Sequence, residues 1–414
     1  MTELAQLPAP PFDATVTGTA GDDRLDGTGL DDLIQGQGGD DLLQGLGGSD
    51  SLSGGAGDDT LLGGSGDDTL NGNGGYDSMQ GGSGDDLIIV NDADKDSVDG
   101  GGGHDAVDFS LSATGVFADL TGGDYGGDGQ VRNVEDAVGS AFADTIIGTM
   151  GRNVIVGGDG DDMIAGYYNA LTTAKVGDLI DGGAGNDSIS GGDGANHFTG
   201  GDGDDYLSAG VGRNTLDGGI GDDQLGASGG VLTGGEGDDS LSAGAGHTTL
   251  DGGDGRDQFF VYQGGGQVLG GDGDDDISLG YSHTHVDAGA GDDFIEIETV
   301  GGGSGVNADR VAGGAGADTF LYLLDPSEVS HERLLDLEAA DKIDLHYIDA
   351  DSTHSGDQAF VLVTSFHHHA GEALLAYDAV HDVTRLELDT DGDTKPEITI
   401  IIDGDHTDFT NFVL

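Results

Sequence analysis

From Gly18 to Ile89 the chain is eight nine-residue units set end to end: GTAGDDRLD, GTGLDDLIQ, GQGGDDLLQ, GLGGSDSLS, GGAGDDTLL, GGSGDDTLN, GNGGYDSMQ and GGSGDDLII. The sixth position is always Asp (Asp23, Asp32, Asp41, Asp50, Asp59, Asp68, Asp77 and Asp86), and the eighth is always aliphatic or Met, from Leu25 to Ile88. The glycine-rich head of each unit suits a tight turn with positive φ, whereas the last three residues suit a very short strand with one inward side chain. One unit cannot bury its own apolar residue, so units must stack into a solenoid. Two units then complete one coil turn of 18 residues, and the sixth-position aspartates line up along both edges. Stacked carboxylates repel unless a cation lies between them. Calcium suits such a place, because it takes six to eight hard oxygen ligands and mixes carboxylates with exposed carbonyls.

These units match the pattern GGxGxDxUx, where U is a large apolar residue, and they do so in phase. The chain therefore resembles the RTX, or haemolysin-type calcium-binding, proteins. The resemblance implies an all-β parallel β-roll, with multiple calcium ions as cofactor. At roughly 10⁻⁴ to 10⁻³ M affinity per site, calcium tenfold above that level adds about 1.4 kcal/mol per site. Many sites together rival the stability of a whole domain.

Charge points the same way. Against 12 Lys and Arg stand 80 Asp and Glu, a net charge of −68. Such a chain repels nucleic acid and anionic bilayers, and without cations it repels itself. Absence of Cys excludes disulfides and thiol chemistry. No apolar stretch approaches a membrane span. The start, MTELAQLPAPPFDATV, has neither the basic region nor the apolar core of a Sec signal.

The sequence divides into a leader (1–17), a first roll (18–108) ending on Asp105, a non-repeat insertion with re-entry into repeats (109–147) carrying Asp144, a second roll (148–321) and a C-terminal cap (322–414). Within the insertion, FSLSATGVFADL and QVRNVEDAV read as strands of a cap or lateral insertion. After Asp162, the aspartates Asp187, Asp205, Asp223, Asp239, Asp257, Asp275 and Asp293 follow at spacings of 18, 18, 16, 18, 18 and 18 residues. Asp318 closes the series. The intervening units hold Asn196, Asn214, Thr248, Gly266 or Thr284 instead. One coil turn is 18 residues, so calcium is expected along one edge of the second roll, with the other largely metal-free.

From Tyr322 onward glycine thins out. Segments such as DKIDLHYIDAD, TRLELDTDGD, EITIIIDG and the terminal DFTNFVL resemble the C-terminal domain of serralysin-type secreted metalloproteases. That resemblance implies a cap on the roll and an uncleaved type I secretion signal. It also implies an extracellular or surface location, and type I machinery as a transient partner. Asn411 stands where that family more often has Asp.

Other chemistry is sparse. Asp389, Asp391 and Asp393 with Glu397 space their oxygens as a calcium loop does, and a solvated acidic hairpin is the alternative. The one His-Glu pair, His331-Glu332, lacks the second His of HExxH. One GxSxG, Gly226–Gly230, lies inside a shortened repeat. His367–His369 is a candidate transition-metal tract, and His283 with His285 beside Tyr281 a candidate contact strand; a solvated loop and an exposed strand face are the alternatives. We therefore expect a non-catalytic calcium-dependent extracellular protein that binds polysaccharide or builds a surface, matrix or biofilm. A cryptic enzyme site in the insertion or C-terminal domain, and a calcium-driven assembly or coat protein, remain as alternatives.

Overall fold

The computed structural model describes residues 12–91, 96–122, 124–125, 129–166, 176–281, 283–299, 309–324, 332–351 and 358–414, and their regular structure is all strand. The chain forms two compact units, Met1–Tyr206 and Leu207–Leu414.

In the first unit each three-residue tail becomes a strand, and each strand pairs in parallel with the one a full turn later. One face stacks Ala14–Thr17, Asp32–Gly38, Ser51–Ala56, Thr69–Gly74, Leu87–Ile89 and Ala106–Asp108. The other stacks Arg24–Asp26, Leu42–Gln44, Thr60–Ser65, Ser78–Ser83 and Ser97–Gly102. Register keeps like on like: Leu43 lies on Leu61, and Leu61 on Met79. The eighth-position side chain turns inward, so the apolar core is a column in which Ile34, Leu43, Leu52, Leu61, Leu70 and Ile88 are sealed from solvent. Parallel strands this short hold because both faces share that column.

Residues 109–138 break the nonapeptide period without leaving the coil. On the first face Ala106–Asp108 passes directly to Asp136–Val138 and then to Val154–Asp159. On the second, Ser97–Gly102 pairs in parallel with Gly129–Arg132. An antiparallel excursion then runs through Asp124–Tyr125 to Phe117–Asp119, which pairs in parallel with Thr145–Ile147. The segment expected as a cap or lateral insertion is thus built into the coil, giving Asp136–Val138 to the first face and the antiparallel excursion to the second. Its apolar residues explain why: Ala118, Leu120, Val131, Val134 and Ala137 are all buried. Of the Gly166–Val176 interruption, residues 167–175 lie outside the described residues, as do residues 1–11 of the leader.

The second unit repeats the scheme. Ser240–Ala243, Gln258–Gln263, Asp276–Tyr281, Phe294–Thr299, Thr319–Leu324 and Lys342–Asp344 form one face. Thr248–Asp254, Gly266–Asp272, His285–Ala290, Arg310–Ala315 and Arg333–Leu334 form the other. The 16-residue spacing between Asp223 and Asp239 arises where Gln224–Glu236 runs as one strand across both faces, pairing with Ser240–Ala243 and then Thr248–Asp254. It bends at Gly229 and Gly230, whose φ angles of 103° and 118° only glycine adopts readily.

At the far end, Ile398–Asp403 adds to Arg333–Leu334, and Phe412–Val413 to Lys342–Asp344. Both faces are thereby covered at their last strand, which would otherwise be an open edge. An antiparallel meander of Glu372–Asp378, Val383–Asp389 and Ile398–Asp403 completes the region. An Arg333–Asp403 ion pair of 2.6 Å fastens it to the coil.

Because the core is one residue wide, a hole in it cannot be filled from the side. Leu61→Ala in calcium-saturated protein should cost about 2–5 kcal/mol in denaturant unfolding, while its outward neighbour Thr60→Ala should change stability by less than about 0.5 kcal/mol.

Candidate metal centres along the coil edges

The glycine head brings each sixth-position aspartate to the edge, where it joins a ladder. The Asp23 backbone N–H donates to Asp41 Oδ1 at 2.8 Å, Asp41 to Asp59, Asp59 to Asp77, and Asp77 to Asp96. On the opposite edge Asp32, Asp50, Asp68, Asp86 and Asp105 are linked the same way at 2.8–2.9 Å. Asp144, Asp162, Asp187 and Asp205 form a further ladder at 2.7–2.8 Å on the edge that Asp23–Asp96 began. In the second unit the ladder runs Asp223, Asp239, Asp257, Asp275, Asp293, Asp318 and Asp341.

The second carboxylate oxygen is left over. Oδ2 of Asp41, Asp50, Asp59, Asp68, Asp86, Asp105, Asp162, Asp187, Asp239, Asp257, Asp275, Asp293 and Asp318 is buried without a hydrogen-bond donor. At Asp41, Asp50, Asp68, Asp162, Asp187, Asp239, Asp257 and Asp275 it lies over the glycine that opens its own unit, beside a carbonyl from the next turn. A Cβ on Gly63 would strike Asp68 Oδ2 and Gly81 O, and one on Gly182 would strike Asp187 Oδ2 and Gly200 O. Glycine is required there because the space belongs to oxygen. An anionic oxygen facing a carbonyl, with no N–H between them, fits a hard cation and nothing softer. Three aspartates differ: Asp23 accepts from Thr19 N–H and Oγ1, Asp32 from Thr28, and Asp144 from Ser140.

Burial pushes these acids up. Asp68, Asp162, Asp187, Asp239 and Asp275 reach about 7, from an ordinary value of 3.8. Asp59, Asp86, Asp205, Asp257, Asp293 and Asp318 reach about 6. Desolvation is the main cause, the N–H from the preceding rung opposes it, and neighbouring carboxylates add to it. Without metal, the coil holds protons that the unfolded chain has released.

The sequence overlooked several ladder members. Asp96, Asp178, Asp309, Asp341, Glu135 and Glu332 all accept a ladder N–H: Asp105 donates to Glu135, Asn153 to Asp178, Thr284 to Asp309, and Asp309 to Glu332. The legible signal was the tail rather than the glycine head: DSVD, DLID, DRVA and DKID each keep Asp two places before the inward residue.

In the C-terminal region Asp389, Asp391 and Glu397 bring ligand oxygens within 4.8 Å of one another. Asp393 stands apart, paired with Lys395 at 2.7 Å. Asp389 already accepts from Gly392 and Thr394 N–H groups, and Glu397 from Thr390 N–H. His367 turns to Glu372 at 3.2 Å. His283 and His285 are both exposed and flank buried Thr284, only His285 lying within a strand; His331 and the side chain of Tyr281 lie outside the described residues. Ser228 sits in mid-strand.

The raised acids fix a pH dependence. The ion-free coil should be most stable below about pH 4 and lose stability as pH rises through about 6 to 7. Calcium displaces those protons, so its apparent affinity should rise over the same window. Far-UV circular dichroism in EDTA should show strand content returning on acidification. The calcium midpoint should be lower at about pH 7.5 than at about pH 6.

No curated protein matches the chain. Among the described residues no helix is long and apolar enough to cross a membrane. Residues 12–29, 17–52, 26–61 and 62–94 match the RTX calcium-binding nonapeptide repeat, and residues 95–414 match Peptidase M10 serralysin C terminal. The second match begins far upstream of the terminal segments that carried the resemblance in sequence, and so takes in repeats as well as the cap. The chain belongs to the serralysin C-terminal family and carries calcium-binding RTX repeats.

Proposed function

We propose that this is a secreted, non-catalytic calcium-binding protein that folds on extracellular calcium and serves as an extracellular binding or structural component. One observation carries the reading: a series of buried carboxylate oxygens faces carbonyl oxygens and has no donor of its own. Near neutral pH such an arrangement calls for abundant calcium, the condition outside the cell. The serralysin-type C-terminal match supports export by a type I route. In support of a non-catalytic role, nearly all the described chain is rungs whose polar edge groups are committed to the ladder or to an ion.

Polysaccharide is the ligand class we propose. Outward positions form flat polar rows, with Asn73 Nδ2 on Ser53 Oγ at 3.0 Å and Asn91 Nδ2 on Asn71 Oδ1 at 2.8 Å. On the second unit the rings of Phe260 and Tyr262 lie at 6.4 Å and 10° on an outer face. Flat hydrogen-bonding rows with stacked rings suit sugar hydroxyls and sugar faces.

A calcium titration followed by circular dichroism and sedimentation velocity should give a cooperative coil-to-strand transition between about 10⁻⁴ and 10⁻³ M, with the protein staying monomeric. The folded protein should then be retained on a glycan matrix. Growth into large species would make it an assembly protein instead, and absence of any transition would remove the calcium reading.

A further inference from the structure

In the first unit the two edges part company after Asp105. One keeps Asp144, Asp162, Asp187 and Asp205, while the other holds Asn153, Asp178 and Asn196 at the equivalent positions. Both asparagines are buried. Asn196 Oδ1 takes the ladder N–H as an aspartate's does, from Asp178 at 3.0 Å, whereas Asn153 Oδ1 accepts from Thr149 N–H at 2.8 Å, as Asp32 accepts from Thr28.

The other side-chain atom behaves differently. Asn153 Nδ2 donates to the carbonyls of Thr149 and Gly151, each at 3.2 Å, and to Asp178 Oδ1 at 2.9 Å. Asn196 Nδ2 donates to Gly192 O at 2.9 Å. In the second unit, Asn214 Nδ2 donates to Gly210 O at 2.9 Å and to Gly229 O at 3.2 Å. The partner four residues back is the same in all three turns. Where an aspartate such as Asp68 or Asp187 leaves an acceptor beside a carbonyl of the next turn, these asparagines instead direct an N–H at the carbonyl four residues back. Acceptor against acceptor needs a cation, whereas donor against acceptor is complete.

We propose that Asn153, Asn196 and Asn214 are built-in replacements for the metal, closing their turns by amide hydrogen bonds and taking no calcium. The turns they occupy are then held independently of the ion, and the aspartate turns alone are calcium-gated. This rests on the reading that the aspartate turns bind calcium. It adds that a change of one atom, O to NH₂, decides whether a turn is metal-dependent.

The test is ion stoichiometry on the full chain, by equilibrium dialysis and elemental analysis at saturating calcium, with circular dichroism to certify folding. Asn196→Asp and Asn214→Asp should each bind about one more ion than the wild type, and should need more calcium to fold. The reciprocal Asp162→Asn should bind about one fewer ion and fold at lower calcium. An unchanged count in a folded Asn196→Asp chain would overturn the inference. If the Asn→Asp chains do not fold, an unchanged count in Asp162→Asn overturns it equally. Wild-type protein with no bound calcium would instead sink the reading on which it rests, so the two failures are distinct.

Discussion

A carboxylate oxygen with no donor, buried against a backbone carbonyl, is the constraint on which everything else in this protein depends. Burying such an acceptor costs roughly 1–3 kcal/mol or more if left unpaired, and an isolated charge costs far more. The repeat imposes that situation at Asp41, Asp50 and Asp68, and again at Asp239, Asp257 and Asp275. The cost is reversible, however. A proton lowers it at acid pH and a divalent cation removes it, so whether the coil forms is decided by what the solvent supplies. A column of single inward residues, as in Leu43–Leu61–Met79, is too thin to hold the coil alone.

Most of the coil was legible because its period is enforced by geometry. Each inward residue must sit above another one full turn away, and a slip of one residue would turn the whole apolar column outward. The position of Leu61 on Leu43 and Met79 could be read by counting. What counting missed was of two kinds. Asp96, Asp178 and Asp309 follow irregular lengths, so phase taken from the glycine head lost them although their tails kept the pattern. The strands at Phe117–Asp119 and Gly129–Arg132 carry a period of two, which signals a strand without naming its neighbour. Only the fold shows that they pair into the coil.

Site chemistry was legible at the level of the element and not of the atom. Sequence located the edges, and the edges hold the acids. It could not show that Thr19, Thr28 and Ser140 turn hydroxyls onto Asp23, Asp32 and Asp144. These residues share the second position of their units, where glycine stands in GGSGDDTLN and similar repeats. A hydroxyl there changes an aspartate's partners and leaves the consensus Asp intact. Asp393 likewise shares the spacing of Asp389 and Asp391 yet leaves their company for Lys395.

The intercalated strands between Ser97–Gly102 and Thr145–Ile147 have a further effect. Parallel rungs copy their register from neighbour to neighbour, as layers do in a growing crystal. An antiparallel excursion within one face is a stacking fault: the layers before and after need not share a phase, and on the other face Ala106–Asp108 still hands its alignment to Asp136–Val138. The chain crosses this fault with 30 residues between Asp105 and Glu135 in place of 18. Beyond it the edges are free to differ, and they do. A grain boundary of this sort lets one polymer carry two compositions without breaking the lattice that both share.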